Sequence, residues 1–452
     1  MEITQFSKIK EETKLIITIL SVFVLIVAGY AVNSVLVLLA WLLLIGIILF
    51  SHSAEDTLIP YIMIVTWGAE IWGVIGARSY TIIKLLTLFL FLFRAIRSQN
   101  KGKNQICIDK QFFLFYALFS LYVFAGIMVC NTGDVGTGIN LVLCYLVIYY
   151  AVSIVDYSFY RKASLALALG VVLSAGLFYI APNVPRLQYV VNQMIQTTNI
   201  YGANSLTRLS AMAYDPNQYG LYVIIALTVL LRCLFLEGFR NRVMIFLCVI
   251  LSILGVLTLS KSYLIIFVFL FVLFSYRLLS ATNIRTNYKL LIISLLIIVG
   301  ALSINSLGTY IDAFIERFMV SSANDLTTGR TTIWARYIDI IFNNISVLFF
   351  GTSISYSLPN YSSPHNFILY MIFHFGILGS LIYVCMIVGI LREAKKMYLI
   401  KTDANINITY RFVPLIIYLM YSMTIDPFLL YDAKIALLVP AFISAKYLYM
   451  NE

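Results

Sequence analysis

The chain has 452 residues, of which 62% are hydrophobic and 11% charged, with a mean hydropathy of +0.94 and a formal net charge of +11. A soluble domain cannot bury that much apolar surface, so the composition predicts an all-α protein that crosses a membrane many times. The six cysteines are scattered, mostly within apolar runs, which argues against a disulfide framework and a zinc site.

Apolar runs of membrane-spanning length follow one another along almost the whole chain. Each needs about 20 residues to cross the hydrocarbon core. We expect a single integral membrane domain over residues 1–452 with about 12–14 spans. The candidate spans are 14–31, 34–50, 57–77, 79–94, 112–130, 138–155, 164–182, 218–236, 243–259, 262–279, 290–307, 366–391, 411–425 and 432–449.

The basic residues predict the orientation of these spans. Lys8, Lys10 and Lys14 precede the first run, which reads as a retained span. With both termini in the cytoplasm, all but nine of the 31 Lys and Arg residues fall on the cytoplasmic side, as the positive-inside rule requires. The positive charge is therefore an orientation signal for a lipid bilayer, and we expect no nucleic-acid partner.

Two predicted outer segments are too long to be simple turns. They cover residues 183–217 and 308–365, and between them lies a tight outer turn at Ser260-Lys261-Ser262. The larger segment contains a stretch, 331–350, whose apolar residues recur at helical spacing, and we expect a helix lying in the membrane interface there.

Cations in outer loops run against the positive-inside bias, so they are candidates for function. Arg208, Lys261 and Arg330 are the first choice, because Arg forks and Lys bind phosphate. Arg317 and Arg336 rank second. Taken singly, each could instead be a solvated arginine, a contact to lipid phosphate or a snorkelling lysine.

Two histidines lie near the last outer segment. His365 stands at the mouth of an apolar run, beside Asn366, and is either a functional group or an interfacial anchor with Asn366 as the helix cap. His374 lies about 13 Å deeper on the opposite helical face, where we expect a structural role. Gly376 and Gly379 follow it and predict close helix contact.

Three segments in one order carry a family resemblance. They read RLSAMAYDPNQYG at 208–220, LTLSKS at 257–262, and GRTTIW at 329–334 followed by PHNF at 364–367. In this order the chain resembles the O-antigen polymerase/ligase superfamily of bacterial envelope glycosyltransferases, most clearly over residues 200–391. The resemblance implies a GT-C-like membrane glycosyltransferase that needs no metal or other cofactor.

The resemblance also implies roles for individual residues. Arg208, Arg330 and His365 match the family's catalytic positions, with the two arginines on the pyrophosphate and the histidine activating the acceptor. Where the family commonly has Ser-Arg, this chain has Ser260-Lys261, which keeps the charge but loses the bidentate fork. The remaining residues assigned to substrate binding are Lys261, Asp215, Asn217, Asn366, Trp334, Arg336 and Arg317.

These assignments predict a polysaccharide polymerase for O-antigen or capsule in the bacterial cytoplasmic membrane. Its partners would be a glycan donor and an acceptor, both linked to undecaprenyl pyrophosphate, together with a flippase and a chain-length regulator. One alternative is an O-antigen ligase, which uses the same donor but transfers the glycan to lipid A core or protein. Another is a lipid-linked oligosaccharide flippase, which would carry charges deep within its spans.

Overall fold

The protein is described from a computed structural model covering residues 2–51, 53–76, 78–100, 109–130, 135–154, 156–194, 208–213, 215–237, 239, 241–280, 286, 289–290, 294, 330–354, 363–395, 410–425 and 433–446. In this part of the chain every regular element is helical. We number the helices α1 Glu2–Ala31, α2 Val35–Phe50, α3 Ala54–Ile64, α4 Ser79–Asn100, α5 Lys110–Val129, α6 Val135–Ile154, α7 Tyr157–Ile180, α8 Pro185–Met194, α9 Pro216–Leu236, α10 Arg242–Leu257, α11 Lys261–Ser280, α12 Arg330–Asn343, α13 Ile345–Phe350, α14 Phe367–Lys395, α15 Val413–Ser422 and α16 Ala433–Ser444.

Eight of these helices are long and apolar enough to cross a membrane, namely α1, α4, α5, α6, α7, α9, α11 and α14. Three shorter apolar helices, α2, α10 and α15, add to them. The outer helices expose large apolar side chains such as Val24, Phe89, Leu121 and Val272. An apolar surface of this kind is unfavourable in water and is covered by lipid in a bilayer. The chain is therefore a multi-pass helical membrane protein.

The centre of the bundle is α9, which packs against α7, α10, α11, α15 and α16. Nearly all of its residues from Tyr219 to Phe235 are buried, whereas α5 and α11 bury a minority of theirs. A helix that is apolar on nearly all its faces belongs in the middle of a bundle. Residues 219–235 of α9 are apolar apart from a few polar side chains such as Arg232. The N-terminal end of α9 therefore sits at the middle of one end of the protein.

The predicted span 57–77 is wrong as a single helix. The α-helix ends at Ile64, and the chain continues through short 3₁₀ turns to Trp72, with Gly68 at a positive φ of 77°. The irregular backbone is satisfied inside the protein, where the Tyr30 hydroxyl donates to the Ile71 carbonyl. On α7, the Ser174 hydroxyl likewise donates to the Thr66 carbonyl at 2.8 Å, and the Trp67 indole N–H donates to the Gly170 carbonyl at 2.9 Å.

Several other predicted spans agree with the observed helices to within a few residues, including 34–50, 218–236, 243–259 and 262–279. The span predicted at 411–425 is a helix of 10 residues, and the one at 432–449 a helix of 12. The span predicted at 290–307 and the first part of the larger outer segment, 308–329, lie outside the described residues, apart from isolated positions.

Two helices stand where one amphipathic helix was expected at 331–350. α12 and α13 are separated at Asn344, whose side chain accepts from the Ser346 N–H and begins the second helix. Together with the first part of α14 they enclose a small apolar cluster made of Tyr337, Ile341, Val347 and Phe373. This cluster holds the start of α12 beside the start of α14.

α14 breaks at Gly376, which has φ 60° and ψ −175°. The carbonyls released by the break are bound by neighbours: Phe373 accepts from the Thr352 N–H at 2.9 Å and His374 from the Ser353 N–H at 3.1 Å. Close helix contact at Gly376 is thus confirmed, because a Cβ there would collide with the backbone of α13. The sequence did not predict the break itself.

Candidate functional site

Arg208 is the most informative of the predicted cations, because it is a buried charge, 5% exposed, just ahead of α9. Its Nε donates to the Thr258 carbonyl oxygen at 3.0 Å, and its NH2 donates to Asn217 Oδ1 at 3.2 Å. A guanidinium fixed by two acceptors from different parts of the chain has little rotational freedom. The site is therefore built around a positioned fork of donors.

Asp215 and Asn217 position this fork. Asp215 is the N-cap of α9 and accepts from the backbone N–H of Asn217 at 2.8 Å and from its Nδ2 at 3.1 Å. Pro216 occupies the first helical position, where a missing N–H costs nothing. The sequence Asp-Pro-Asn therefore starts the helix and turns the Asn217 carbonyl oxygen towards Arg208.

A tight turn joins α10 to α11 at residues 258–260, slightly before the predicted Ser260-Lys261-Ser262, because Lys261 and Ser262 already belong to α11. Leu257 ends α10 and Lys261 begins α11, with Leu259 at φ 49° between them. The turn contacts the Arg208 segment twice, through the bond to the Thr258 carbonyl and through the Leu209 N–H, which donates to the Leu257 carbonyl at 3.0 Å. Lys261, half-buried, is thereby held on the same side of the bundle as Arg208.

Tyr421, on α15, joins these segments, and the sequence reading missed it. Its hydroxyl lies 3.3 Å from Ser260 Oγ and is fully buried. The charges of Asp215, Arg208 and Arg330 all act on this hydroxyl. The two arginines assigned to the pyrophosphate are 122 positions apart in the chain, and both are near enough for their charges to act on this one side chain.

Arg330 begins α12, and this helix is joined to the predicted histidine segment. Trp334, one turn later, donates its indole N–H to the Pro364 carbonyl oxygen at 2.7 Å. Tyr337 packs edge-on against Phe373, with ring centroids 4.7 Å apart. Trp334, predicted to bind substrate, thus has a structural contact that brings the residue before His365 to α12.

His365 is half-buried and adopts φ 49°, a left-handed conformation that is uncommon outside glycine and that Asn, Asp and His adopt more often than other residues. Its neighbour Asn366 accepts from the Ile368 and Leu369 N–H groups at 3.0 and 3.2 Å. Asn366 is therefore the cap of α14, as expected if His365 is an interfacial anchor.

Of the second-rank cations, Arg336 is exposed on α12, and Arg317 lies outside the described residues. His374 has the structural role expected of it. It is buried, and its Nδ1 lies 2.8 Å from the Ser353 carbonyl oxygen. Packing against Tyr370, with centroids 4.1 Å apart, completes its surroundings.

Left-handed backbone is concentrated in the predicted segments. Among the described residues five that are not glycine have positive φ, and three of them lie in these segments: Ala211, Leu259 and His365. Each such conformation costs on the order of 1–3 kcal/mol and persists only where the surroundings impose it. Strain of this kind collects at functional sites, so the three segments have that property in common.

No group of three or more His, Cys, Asp or Glu side chains close enough to hold a metal ion occurs in the described part of the chain. The fold and the site define a multi-pass helical membrane protein with a buried, positioned arginine at the start of its central helix. Comparisons with models of protein families, with characterised proteins and with solved structures find no match to this chain.

Proposed function

We propose that this protein is a polysaccharide polymerase that transfers a glycan from undecaprenyl pyrophosphate to a sugar hydroxyl of a second lipid-linked repeat unit, on the outer face of the cytoplasmic membrane. The observation that carries the proposal is the buried guanidinium of Arg208, which Thr258 and Asn217 hold in place at the start of α9. Arg330, assigned to the donor pyrophosphate from a separate segment of the sequence, is near enough for its charge to act on Tyr421 beside this site. Fixed cations of this kind suit a doubly charged leaving group.

The reaction assigns a task to each group. The acceptor hydroxyl oxygen attacks the anomeric carbon, the bond from that carbon to the pyrophosphate oxygen breaks, and the electron pair leaves with the lipid pyrophosphate. The acceptor proton passes to the imidazole of His365, since histidine is the side chain most often used as a general base. Negative charge grows on the leaving phosphate, so fixed cations stabilise the transition state more than the ground state.

The geometry of Arg208 supports this assignment more strongly than that of the other cations. A guanidinium already held by Thr258 and Asn217 needs no reorganisation when charge develops beside it. Lys261 adds a mobile point charge at the edge, since it begins α11 directly after Ser260. Arg330 and the Pro364–Asn366 segment are carried by α12 and its Trp334 contact, which would bring donor and acceptor groups together.

A ligase would use the same donor chemistry and differ only in the acceptor. The decisive experiment is gel analysis of the surface glycan and of the carrier lipid from cells lacking the protein. A polymerase predicts a single repeat unit on the terminal acceptor, and a ligase predicts polymer left on the carrier lipid. Normal polymer on the surface would overturn both. Reintroduced protein should restore the polymer, and Arg208→Ala at normal protein level should not.

One observation favours a second candidate, a transporter of lipid-linked oligosaccharide. Lys84, the sixth residue of α4, is fully buried in a candidate span, where a charge is costly and often functional. Transfer with purified protein in nanodiscs separates the two functions, because both substrates can be supplied without transport. A polymerase extends the glycan there, and a transporter leaves the substrates unchanged.

A further inference from the structure

The Tyr421 hydroxyl has one hydrogen-bonding partner among the described residues, Ser260 Oγ, although it is fully buried beside charged groups. A phenol has one proton to donate and can also accept. Ser260 Oγ already accepts the Tyr263 N–H at 3.3 Å. When Ser260 donates its own proton to Tyr421, the phenol proton is left for an outside acceptor. The surrounding arginines would attract an anion to that position.

The backbone of α9 has a gap that fits this hydroxyl. A Cβ on Gly220 would collide with the Tyr421 hydroxyl oxygen, whereas the next nearest atoms, Tyr263 Cβ and Tyr421 Cζ, lie at 3.4 and 3.5 Å. Gly220 is one turn beyond Asn217, which fixes Arg208. The same helix end therefore positions a guanidinium and leaves space for a phenol beside it.

We infer that Tyr421 is an uncharged phosphate ligand of this site: it accepts the Ser260 hydroxyl proton and donates its own proton to the diphosphate held by Arg208 and Arg330. The inference rests on the proposed function and extends it to a residue on α15. The hydroxyl adds a geometric requirement that the two cations do not impose, because its hydrogen bond must point at one phosphate oxygen. The site should therefore distinguish a diphosphate, which spans the cations and the phenol, from a monophosphate.

The test uses full-length protein in nanodiscs, with undecaprenyl pyrophosphate and undecaprenyl phosphate as the probes. Tyr421→Phe should weaken pyrophosphate binding by about tenfold, the low end for a hydrogen bond to a charged group, with little effect on the monophosphate. Tyr418→Phe is the matched control. It is equally buried and one turn earlier on α15, and its electrostatic neighbours are Tyr145, Tyr222 and Cys144.

Gly220→Ala provides a second, independent variant. It should displace the hydroxyl and weaken pyrophosphate binding, and adding Tyr421→Phe should cause no further loss, because the colliding oxygen is gone. Additive losses, or Tyr421→Phe binding like Tyr418→Phe, would overturn the inference. If Arg208→Ala abolishes binding while Tyr421→Phe does not change it, the proposed function survives and only the role of Tyr421 is lost. If neither variant changes binding, both proposals fail.

Discussion

Arg208 and Thr258 are 50 positions apart in the chain, yet the Arg208 Nε–H is bound to the Thr258 carbonyl oxygen at 3.0 Å. This bond joins the segment before α9 to the turn between α10 and α11. The guanidinium is held edge-on, so its direction is set by backbone and not by a flexible partner. The function of Arg208 should therefore depend on the shape of its side chain as well as on its charge.

Arg208→Lys should lose most of the transfer activity although it keeps the charge. A lysine ammonium is a point charge on a flexible stem and cannot reproduce the paired bonds to Thr258 and Asn217. We expect a decrease in kcat of about 100-fold, typical of removing one positioned donor, and a complete loss for Arg208→Ala. The measurement is glycan extension by purified protein. Arg186→Ala, an exposed arginine on α8, should retain normal activity.

His365→Asn should lower kcat by about 10²–10⁴-fold and leave the protein folded, if the imidazole is the general base. Asparagine is the informative replacement because it tolerates the left-handed backbone that His365 adopts at φ 49°, whereas alanine would add strain. A variant with a normal rate would remove His365 from catalysis.

His374→Asn tests the opposite assignment. His374 is buried and bonded to the Ser353 carbonyl beside the break in α14, so its loss should lower the melting temperature and not the rate per folded molecule. Thermal unfolding in detergent, read together with specific activity, separates the two histidines. A loss of activity at unchanged stability would contradict the structural role.

The sequence singled out the three candidate segments but not Tyr421, which contacts one of them. Arg208, Ser260 and Arg330 were recognisable because cations and turn residues stand out against apolar runs. Tyr421 was not, because the chain has 32 tyrosines and this one lies within an apolar helix with no local pattern. Tyr421 becomes a candidate only through its contact with Ser260, 161 positions away, and hydropathy carries no information about such contacts.

The breaks at Gly68 and Gly376 escaped prediction for a related reason. Hydropathy reports whether a stretch belongs in an apolar surrounding, and both stretches do. Whether a glycine packs against a neighbour or takes a positive φ is decided by the opposing backbone, here α13 for Gly376. The periodicity of an apolar run cannot reveal that choice.

Gly376→Ala should destabilise the protein strongly. An alanine at φ 60° is strained, and its Cβ would collide with the Phe349 carbonyl and the Phe350 nitrogen. We expect the melting temperature to fall by several degrees. In domains of 150–250 residues, a loss of about 1 kcal/mol lowers the melting temperature by roughly 2–4 °C. Gly46→Ala is the control: Gly46 lies inside α2 with nothing within 4 Å of a Cβ, so this change should be neutral or stabilising. Equal effects of the two changes would contradict the tight α13–α14 contact.

Glu55→Gln should make the stability of the protein less dependent on pH. Burial, followed by the charges of Asp156 and Asp56, raises the pKa of Glu55 from 4.5 to about 7. Between pH 4.5 and 7 the folded protein keeps a proton that the unfolded chain releases, so this group's contribution to stability falls as pH rises through that window. Lys446 and Lys162 oppose the shift without cancelling it.

The glutamine variant should therefore melt close to the wild type at pH 5 and higher, by about 2 °C or more, at pH 8. Thermal unfolding in detergent from pH 5 to 8 measures the difference. Asp339→Asn is the control, because this carboxylate is exposed on α12, where it accepts from Asn343, and it is not among the charges that act on Glu55. A lower melting temperature of Glu55→Gln at pH 8 would contradict this prediction. It would mean that the attraction between Lys446 and the ionised Glu55 outweighs the cost of burying that charge.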